Sequence, residues 1–212
     1  FRKTVNKKTK VLFCASPNSP TGNLLKREDM EMLCTMFRGI VVVDEAYIEF
    51  SSEPSLIYKT KNVENLVILR TFSKAWGLAG LRIGYCVANA DIIQYLNKIK
   101  PPYNLNKLSI QFAIEALKNY EKLFEMREKI IREREKLTHE LKKLRCDVFP
   151  SETNFLLVRV TNAPQIVKKL AEQFGIIVRD FSTKPLLQDC FRVTVGTPDQ
   201  NWLFIQSLSQ LL

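Results

Sequence analysis

The chain has 212 residues, is 46% hydrophobic and carries a formal net charge of +10. That length and hydrophobic content suffice for one large domain or two modest ones with a true core, which excludes a disordered chain. No apolar run approaches the roughly 20 residues that a membrane-spanning helix needs, so no membrane partner is expected.

The first predicted elements read as a mostly parallel α/β sheet. Three short apolar runs, at residues 11–14, 40–43 and 66–69, do not alternate with polar residues, which is typical of parallel strands covered on both faces. A helix is predicted between the first two runs, at residues 26–37, with Gly39 as its stop signal. A fourth strand is predicted at Gly84–Ala88.

The pattern changes after residue 105. Apolar residues recur at helical spacing from Asn106 to Leu144, which predicts one long bent helix or two consecutive helices. Beyond Cys146 we expect a smaller α+β region. Its predicted strands are 154–160, 176–178 and 191–195, its first helix is 163–174, and a second helix begins at Thr197.

These patterns predict three regions. Residues 1–105 form part of a large domain, residues 106–145 form a connecting helical segment, and residues 146–212 form a small C-terminal domain. Because the sequence begins with Phe1 and shows no signal peptide, we expect it to be a segment of a longer protein.

The cysteines and the charge distribution argue against several kinds of site and partner. Five scattered cysteines without a CxxC pair, and one histidine, argue against a disulfide framework and a metal site. Reduced thiols predict a cytoplasmic protein. Residues 1–10 carry five basic side chains, but no aromatic residues are interleaved with them, so a solvated surface is favoured over a nucleic-acid partner. These residues are Arg2, Lys3, Lys7, Lys8 and Lys10.

A distinctive polar stretch follows each of the first three apolar runs. ASPNSPTG follows the first, DEAYIEF the second, and RTFSKAWGLAGLRIGY the third. Ligands of an open α/β sheet bind beyond the carboxyl ends of its strands, so we expect the polar side chains of these stretches to converge. They are Ser19, Asp44, Tyr47, Thr71, Ser73, Lys74 and Arg82.

This set of side chains suits one cofactor. A lysine such as Lys74 can form a Schiff base with an aldehyde and, once freed, carry a proton. The hydroxyls of Thr71 and Ser73 and the planar fork of Arg82 suit a phosphate, and Asp44 suits a cationic ring nitrogen. Together they predict pyridoxal 5'-phosphate, whose pyridinium nitrogen needs an anion to act as an electron sink.

Those motifs also carry a family resemblance over nearly the whole chain. With PPYNLN at 101–106, TNFLLVR at 153–159 and FRVTVGTP at 191–198, the sequence resembles the fold-type I pyridoxal-phosphate aminotransferases. DEAYIEF, AGLRIGY and PPYN favour the histidinol-phosphate branch, and the threonine-phosphate decarboxylases have similar motifs. The resemblance implies an aminotransferase large domain, here incomplete, followed by a smaller C-terminal α+β domain.

The resemblance also assigns roles to residues. Lys74 would be the catalytic lysine that bears the cofactor and carries the proton between the substrate Cα and the cofactor C4′. Asp44 would pair with the ring nitrogen and Tyr47 with O3′, while Thr71, Ser73 and Arg82 would bind the phosphate. Arg192 would bind the substrate α-carboxylate, and Arg179 the substrate phosphate.

Two departures from the family pattern are visible. The family has asparagine immediately before PTG, where its amide reaches O3′, and this chain has Ser19. The neighbouring Asn18 is not the matching residue. The family's N-terminal part, with its phosphate-binding turn, its ring-stacking aromatic and its substrate-binding tyrosines, is not in this sequence.

The expected activity is amino transfer between L-histidinol phosphate and 2-oxoglutarate, with glutamate as the other amino carrier, by a homodimer in histidine biosynthesis. Alternatives are another fold-type I aminotransferase, an enzyme like the threonine-phosphate decarboxylases, and a catalytically inactive fragment that acts as an interaction module. Nucleic-acid binding through the basic stretch is the least favoured reading.

Overall fold

The structure is a computed structural model that describes residues 5–212. Arg2 and Lys3 of the basic stretch, and the start of the predicted large domain, lie outside the described residues. The chain divides into two compact units. The first unit comprises the chain up to Asn18 together with Leu24–Leu123, and the second comprises Ser19–Asn23 with Phe124–Leu212. The boundaries predicted at residues 105 and 145 stay predictions.

The first unit is built around a four-stranded sheet. Its strands follow the order β1-β2-β3-β4, with the first three parallel and β4 antiparallel to β3. The strands are β1 Val11–Ala15, β2 Ile40–Asp44, β3 Leu66–Thr71 and β4 Gly84–Ala88. The helices are α1 Arg27–Met36, α2 Ala90–Ile99 and α3 Lys107–Lys118, and short 3-10 turns lie at Ile48–Phe50, Leu56–Lys61 and Ala79–Leu81.

The second unit is an antiparallel sheet with helices. The order of its strands is β5-β6-β8-β7, and every neighbouring pair is antiparallel. The strands are β5 Asp147–Val148, β6 Phe155–Arg159, β7 Arg179–Asp180 and β8 Cys190–Thr194. The helices are α4 Tyr120–Lys143, whose first residues belong to the first unit, α5 Ala163–Phe174 and α6 Pro198–Ser209. The predicted fold class, a mostly parallel α/β sheet followed by a smaller α+β region, is confirmed.

Burial of apolar side chains holds each unit together. In the first unit, Met30, Cys34 and Phe37 pack against the buried strand residues Val41 and Ile68. In the second unit, α4, α5 and α6 cover the sheet through a cluster that includes Leu141, Leu170, Phe191 and Leu208, each fully buried. Burying one such side chain stabilises a fold by roughly 1.5–3 kcal/mol, so these two clusters are the main source of stability.

Most predicted elements are found within one or two residues of their expected bounds. The long helical section is two helices, because α3 ends at Lys118 and is capped by Asn119, whose side chain turns back to donate to the carbonyl of Glu115. The helix start at Thr197 is confirmed by a capping box with Gln200. Among the described residues, no helix combines the length and the apolar character that spanning a membrane requires.

One strand prediction is wrong and two elements were not predicted. Residues 176–178 form no strand, and the short strand β7 begins instead at Arg179, opposite Arg192 of β8. The apolar run Ile176–Val178 is used for packing, since Ile176 and Val178 contact the core of the second unit. Strand β5 and helix α2 were not predicted, although α2 has an N-cap, in which the side chain of Asn89 accepts from the backbone N–H of Asp91.

A single side chain joins the end of α1 to the start of β3. The side-chain nitrogen Nδ2 of Asn65 lies 3.0 Å from the carbonyl oxygen of Cys34, 2.9 Å from that of Phe37 and 3.0 Å from that of Gly39. These carbonyls belong to the last turn of the helix and the turn after it, where no helical donor reaches them. Asn65 therefore fixes where α1 stops and β2 starts.

Replacing Asn65 with alanine is expected to lower the free energy of unfolding by about 1–3 kcal/mol, because carbonyls at a part-buried turn lose their donor. Chemical denaturation of the purified protein measures the change. Asn119→Ala is the matched control, because its side chain also donates to a helical carbonyl but is exposed, and it should cost less than about 0.5 kcal/mol. Equal costs for the two variants would contradict this account of the turn.

Candidate functional site

Three strand ends and one strand start meet at the same edge of the first unit's sheet. Ala15 at the end of β1 is paired with Asp44 at the end of β2, and the next backbone N–H, that of Ser16, donates to the carbonyl of Asp44 at 3.0 Å. Thr71, the last residue of β3, is paired with Gly84, the first residue of β4. The polar stretches after β1, β2 and β3 therefore begin at one edge, as expected.

Lys74 lies near Tyr47 at this edge, where β2 ends at Asp44. Asp44 is half-buried, and its Oδ1 accepts from the backbone N–H of Ala46 at 3.0 Å, which holds the carboxylate against the turn that follows β2. Tyr47 is buried, and the Nζ of Lys74 lies 5.2 Å from the centroid of its ring. An ammonium group at this distance is attracted to the ring face. The exposed lysine is thereby directed towards the residues that follow β2.

The loop from residue 71 to residue 84 is closed by its own backbone. Phe72 and Ile83 are joined by a hydrogen bond of 3.1 Å, and the hydroxyl of Thr71 donates to the carbonyl of Ile83 at 3.3 Å. The same hydroxyl oxygen accepts from the backbone N–H of Ser73 at 3.0 Å. Thr71, Ser73 and Arg82 are therefore held at the two ends of one closed loop.

Arg82 has an unusual backbone conformation. Its φ is 54°, in the left-handed region that a non-glycine residue adopts at an energetic cost, and its Nη1 donates to the carbonyl of Ala79 at 3.0 Å. Such residues cluster at functional sites, where the surrounding structure enforces them. Here helix α3 supports the loop, because the hydroxyl of Ser109 donates to the carbonyl of Leu81 at 3.1 Å.

The remaining predicted site residues, Ser19, Arg179 and Arg192, belong to the second unit. The Nη1 of Arg192 donates to the hydroxyl oxygen of Ser19 at 2.8 Å. The guanidinium carbon of Arg192 lies 4.8 Å from the ring centroid of Phe155 and 5.7 Å from that of Phe181. The side chain is thus oriented by two aromatic rings and by one hydroxyl group. The roles of all the predicted site residues stay predictions.

Arg179 and Arg192 are direct cross-strand partners between β7 and β8. Side chains in directly opposite positions leave the same face of the sheet with Cβ atoms roughly 4.5–5.5 Å apart, and two like charges there are destabilising. A bound anion would relieve that repulsion. The pairing therefore supports an anion site on this face of the second unit.

A buried cluster of charges beside the site, which we call the Glu45–Arg70–Glu49 cluster, was not predicted from the sequence. Glu45 is only 1% exposed, and its carboxylate accepts from the backbone N–H of Leu56 at 2.8 Å and from the hydroxyl of Ser55. The Nη2 of Arg70 lies 2.7 Å from Glu49, and its Nη1 lies 3.4 Å from Glu45. The sequence contained a signal for this cluster, because Arg70 directly continues a buried apolar strand, and a buried charge requires a partner of opposite charge.

The comparisons with known proteins identify a family. The sequence model described as aminotransferase class I and II matches residues 2–208. A histidinol-phosphate aminotransferase from Flavobacterium johnsoniae is 43% identical over 98% of this chain and 60% of its own length. The chain thus spans about three fifths of that curated relative.

Solved structures show the same similarity. The structure of histidinol-phosphate aminotransferase from Sinorhizobium meliloti in complex with pyridoxal-5'-phosphate has a TM-score of 0.87 at 28% identity, over 95% of this chain and 57% of that one. The structure of L-threonine-O-3-phosphate decarboxylase from Porphyromonas gingivalis has a TM-score of 0.84 at 28% identity, over 99% of this chain and 66% of that one.

The buried carboxyl of Glu45 predicts a pH dependence. Burial raises its pKa more than the hydrogen bonds from Ser55 and Leu56 and the charge of Arg70 lower it, and the neighbouring carboxylate of Glu49 raises it further. The folded protein therefore binds this proton more tightly than the unfolded chain does. Its stabilising contribution is complete below the unfolded pKa of about 4.3 and is lost as the pH rises through the folded value.

We expect the free energy of unfolding of the wild type, relative to that of Glu45→Gln, to fall as the pH rises from about 4.3 through the raised folded pKa of Glu45. Urea denaturation of both proteins across this range measures the difference. Glu53→Gln is the control for removing a carboxylate, because the side chain of Glu53 is exposed. A constant difference for Glu45→Gln would contradict the prediction.

Proposed function

Because the chain belongs to the class I and II aminotransferase family, we propose that the protein carrying it transfers an amino group between L-histidinol phosphate and 2-oxoglutarate, with pyridoxal phosphate as cofactor. The proposal places the protein in histidine biosynthesis. It is supported by the similarity to proteins named histidinol-phosphate aminotransferase, including the relative from Flavobacterium johnsoniae. The chain covers part of such a protein, so the activity is proposed for the full-length molecule.

The observation that carries the proposal is the grouping of Lys74 with Tyr47 and Asp44 at the ends of two parallel strands. One amine, one phenol and one carboxylate occur there together, beside a closed loop that holds two hydroxyl groups and an arginine. Each of these residues alone has an ordinary structural explanation. Their meeting at the edge where α/β sheets bind ligands is what favours a cofactor site.

The residues present fit pyridoxal phosphate in chemical type. The carboxylate of Asp44 suits the ring nitrogen, and the amine of Lys74 suits the aldehyde. The hydroxyls of Thr71 and Ser73 and the guanidinium of Arg82 provide hydrogen-bond donors for a phosphate. When bound, the cofactor supplies an aldehyde that takes up the amino group and a ring that withdraws electrons from the carbon that gives up its proton.

The chain's own residues would hold the cofactor and transfer the proton. Asp44 would keep the ring nitrogen of the bound cofactor protonated, because a nearby carboxylate favours the charged form. Tyr47 donates a hydrogen bond to O3′. The Nζ of Lys74 would take a proton from the substrate carbon and would return it to the cofactor C4′.

The facing pair Arg179 and Arg192 supports substrates that carry an anionic group. L-histidinol phosphate has a phosphate ester and no carboxylate, whereas glutamate and 2-oxoglutarate have carboxylates. A pair of guanidinium groups suits both kinds of anion, because each presents a planar fork of donors. Arg192 is proposed to take the α-carboxylate and Arg179 the phosphate, with Ser19 orienting Arg192 rather than acting only on the cofactor.

A second candidate function is decarboxylation of a phosphothreonine-like substrate. It is favoured by the similarity over 99% of this chain to the threonine-phosphate decarboxylase structure. That reaction would use the same lysine and also requires an anion site for a phosphate ester. The product distinguishes the two candidates, because only decarboxylation releases CO₂.

The proposal includes a homodimer in the cytoplasm whose partners are small-molecule substrates and not nucleic acid. Light scattering of the full-length protein measures the oligomeric state, and cell fractionation measures the location.

The residue that bears the cofactor is predicted to be Lys74. Borohydride treatment of the full-length protein with pyridoxal phosphate should attach the cofactor irreversibly to this lysine, and peptide mass mapping should find the label there. The control is Lys74→Ala, which should take up no label at this peptide and should lose activity by a factor of at least about 10³. A label on any other lysine in the wild type would contradict the assignment of Lys74.

The choice of reaction is tested with two substrates. Full-length protein should form glutamate from 2-oxoglutarate when L-histidinol phosphate is the amino donor, because Lys74 then serves both half-reactions. With L-threonine O-3-phosphate it should release no CO₂. Release of CO₂ without glutamate formation would overturn the proposed function and establish the second candidate.

A further inference from the structure

The Glu45–Arg70–Glu49 cluster lies directly behind the candidate site. Successive side chains of a strand point to opposite faces of the sheet, so Arg70 leaves β3 on the face opposite to Thr71. Glu45 follows Asp44 and continues the ladder, with its backbone N–H donating to the carbonyl of Leu69 at 2.9 Å. Glu45 therefore leaves on the face opposite to Asp44, where it meets Arg70.

We propose that Arg70 is a positioning residue, which holds Asp44 and the turn containing Lys74 in fixed relative positions by joining the ends of β2 and β3 from behind. The functional consequence of this positioning rests on the proposed function. Glu45 and Asp44 are adjacent in the chain, and Arg70 and Thr71 are adjacent as well. An ion pair between Glu45 and Arg70 therefore constrains Asp44 and Thr71, their chain neighbours that face the site.

Burial makes the cluster restrictive. The side chains of Arg70 and Glu49 are 14% and 9% exposed, and Glu45 is nearly inaccessible. Removing one partner of a buried ion pair leaves a charge that water cannot solvate, so the arrangement tolerates little displacement. The buried Nε of Arg70 has no hydrogen-bond partner among residues 5–212, so the two terminal nitrogens make all of its hydrogen bonds to the described part of the chain.

The cluster also connects further segments. Glu45 accepts from Leu56 and Ser55, at the start of the 3-10 turn that precedes β3. Tyr85 of β4 is the register partner of Arg70. The groups that face Arg70 are thus Glu45, Glu49 and Tyr85, which come from three different segments. A buried ion pair contributes little net stability, because the cost of removing its charges from water offsets their attraction. Such a network contributes most by selecting one arrangement of the strand ends.

The test compares Arg70→Lys, Arg70→Met and Arg159→Met in the full-length protein. Arg70→Lys keeps a buried positive charge but has a single nitrogen, which cannot bond to both glutamates in the geometry of the fork. Arg70→Met removes the charge. Arg159→Met is the matched control, because Arg159 is also a strand arginine paired with a carboxylate, 3.7 Å from Asp147, but the pair is exposed.

The first measurement uses cofactor-free protein and does not depend on the proposed function. Hydrogen exchange of the backbone amides at residues 45–50 and 73–77 should be about tenfold faster in Arg70→Lys, because these segments lose their common anchor. Arg159→Met should exchange as the wild type does in both segments. Unchanged exchange in Arg70→Lys and Arg70→Met overturns the proposal.

The second measurement adds pyridoxal phosphate and records its affinity and the pH midpoint of its absorption spectrum. In Arg70→Lys the affinity for pyridoxal phosphate should fall about tenfold. Affinity losses of this size follow when a residue that orients metal-binding side chains is removed from a metal site. The midpoint should shift, because protonation of the imine on Lys74 depends on the charge that the Asp44 carboxylate stabilises on the ring nitrogen, whereas a loss of thermal stability alone would leave the midpoint in place. Lower thermal stability with unchanged affinity and midpoint overturns the positioning role.

The two proposals fail in different ways. If the wild type takes up no cofactor on Lys74, the proposed function fails, and the hydrogen-exchange result alone decides whether Arg70 fixes the strand ends. If the wild type takes up the cofactor and Arg70→Lys matches it in all three readouts, only the further inference fails.

Discussion

The parallel pairing of β1, β2 and β3 is the constraint on which the candidate site depends. Parallel register places Ala15, Asp44 and the end of β3 at one edge, so polar residues that are far apart in sequence begin at the same place. The antiparallel strand β4 then returns to that edge with its first residue opposite Thr71. Without this arrangement Arg82 and Thr71 would not close one loop.

The fold was largely predictable because its signals are local. Apolar runs without alternation predict buried parallel strands, and the Thr197 capping box predicts a helix start. The strand predicted at residues 176–178 failed because an apolar run has the same pattern whether it pairs in a sheet or packs against a core. The strand that forms next to it consists of the two charged residues Arg179 and Asp180, whose pairing with β8 is a long-range interaction that no local pattern contains.

The candidate site was predictable as a set of residues but not as a set of contacts. Lys74, Asp44 and Arg82 stand out because their residue types match a chemistry and each follows or precedes a strand. The hydrogen bond between Arg192 and Ser19, and the buried cluster around Arg70, depend on side-chain directions. Those directions follow from register and packing, which a single sequence does not specify.

The buried cluster has an evolutionary consequence. A substitution of Arg70 alone leaves two glutamates without their common cation, and a substitution of either glutamate alone alters the balance of charge around the arginine. Each single step is unfavourable, whereas a combined replacement by uncharged residues of similar volume is tolerated by many proteins. Drift at these three positions should therefore be epistatic, with lineages keeping the whole triplet or losing it together.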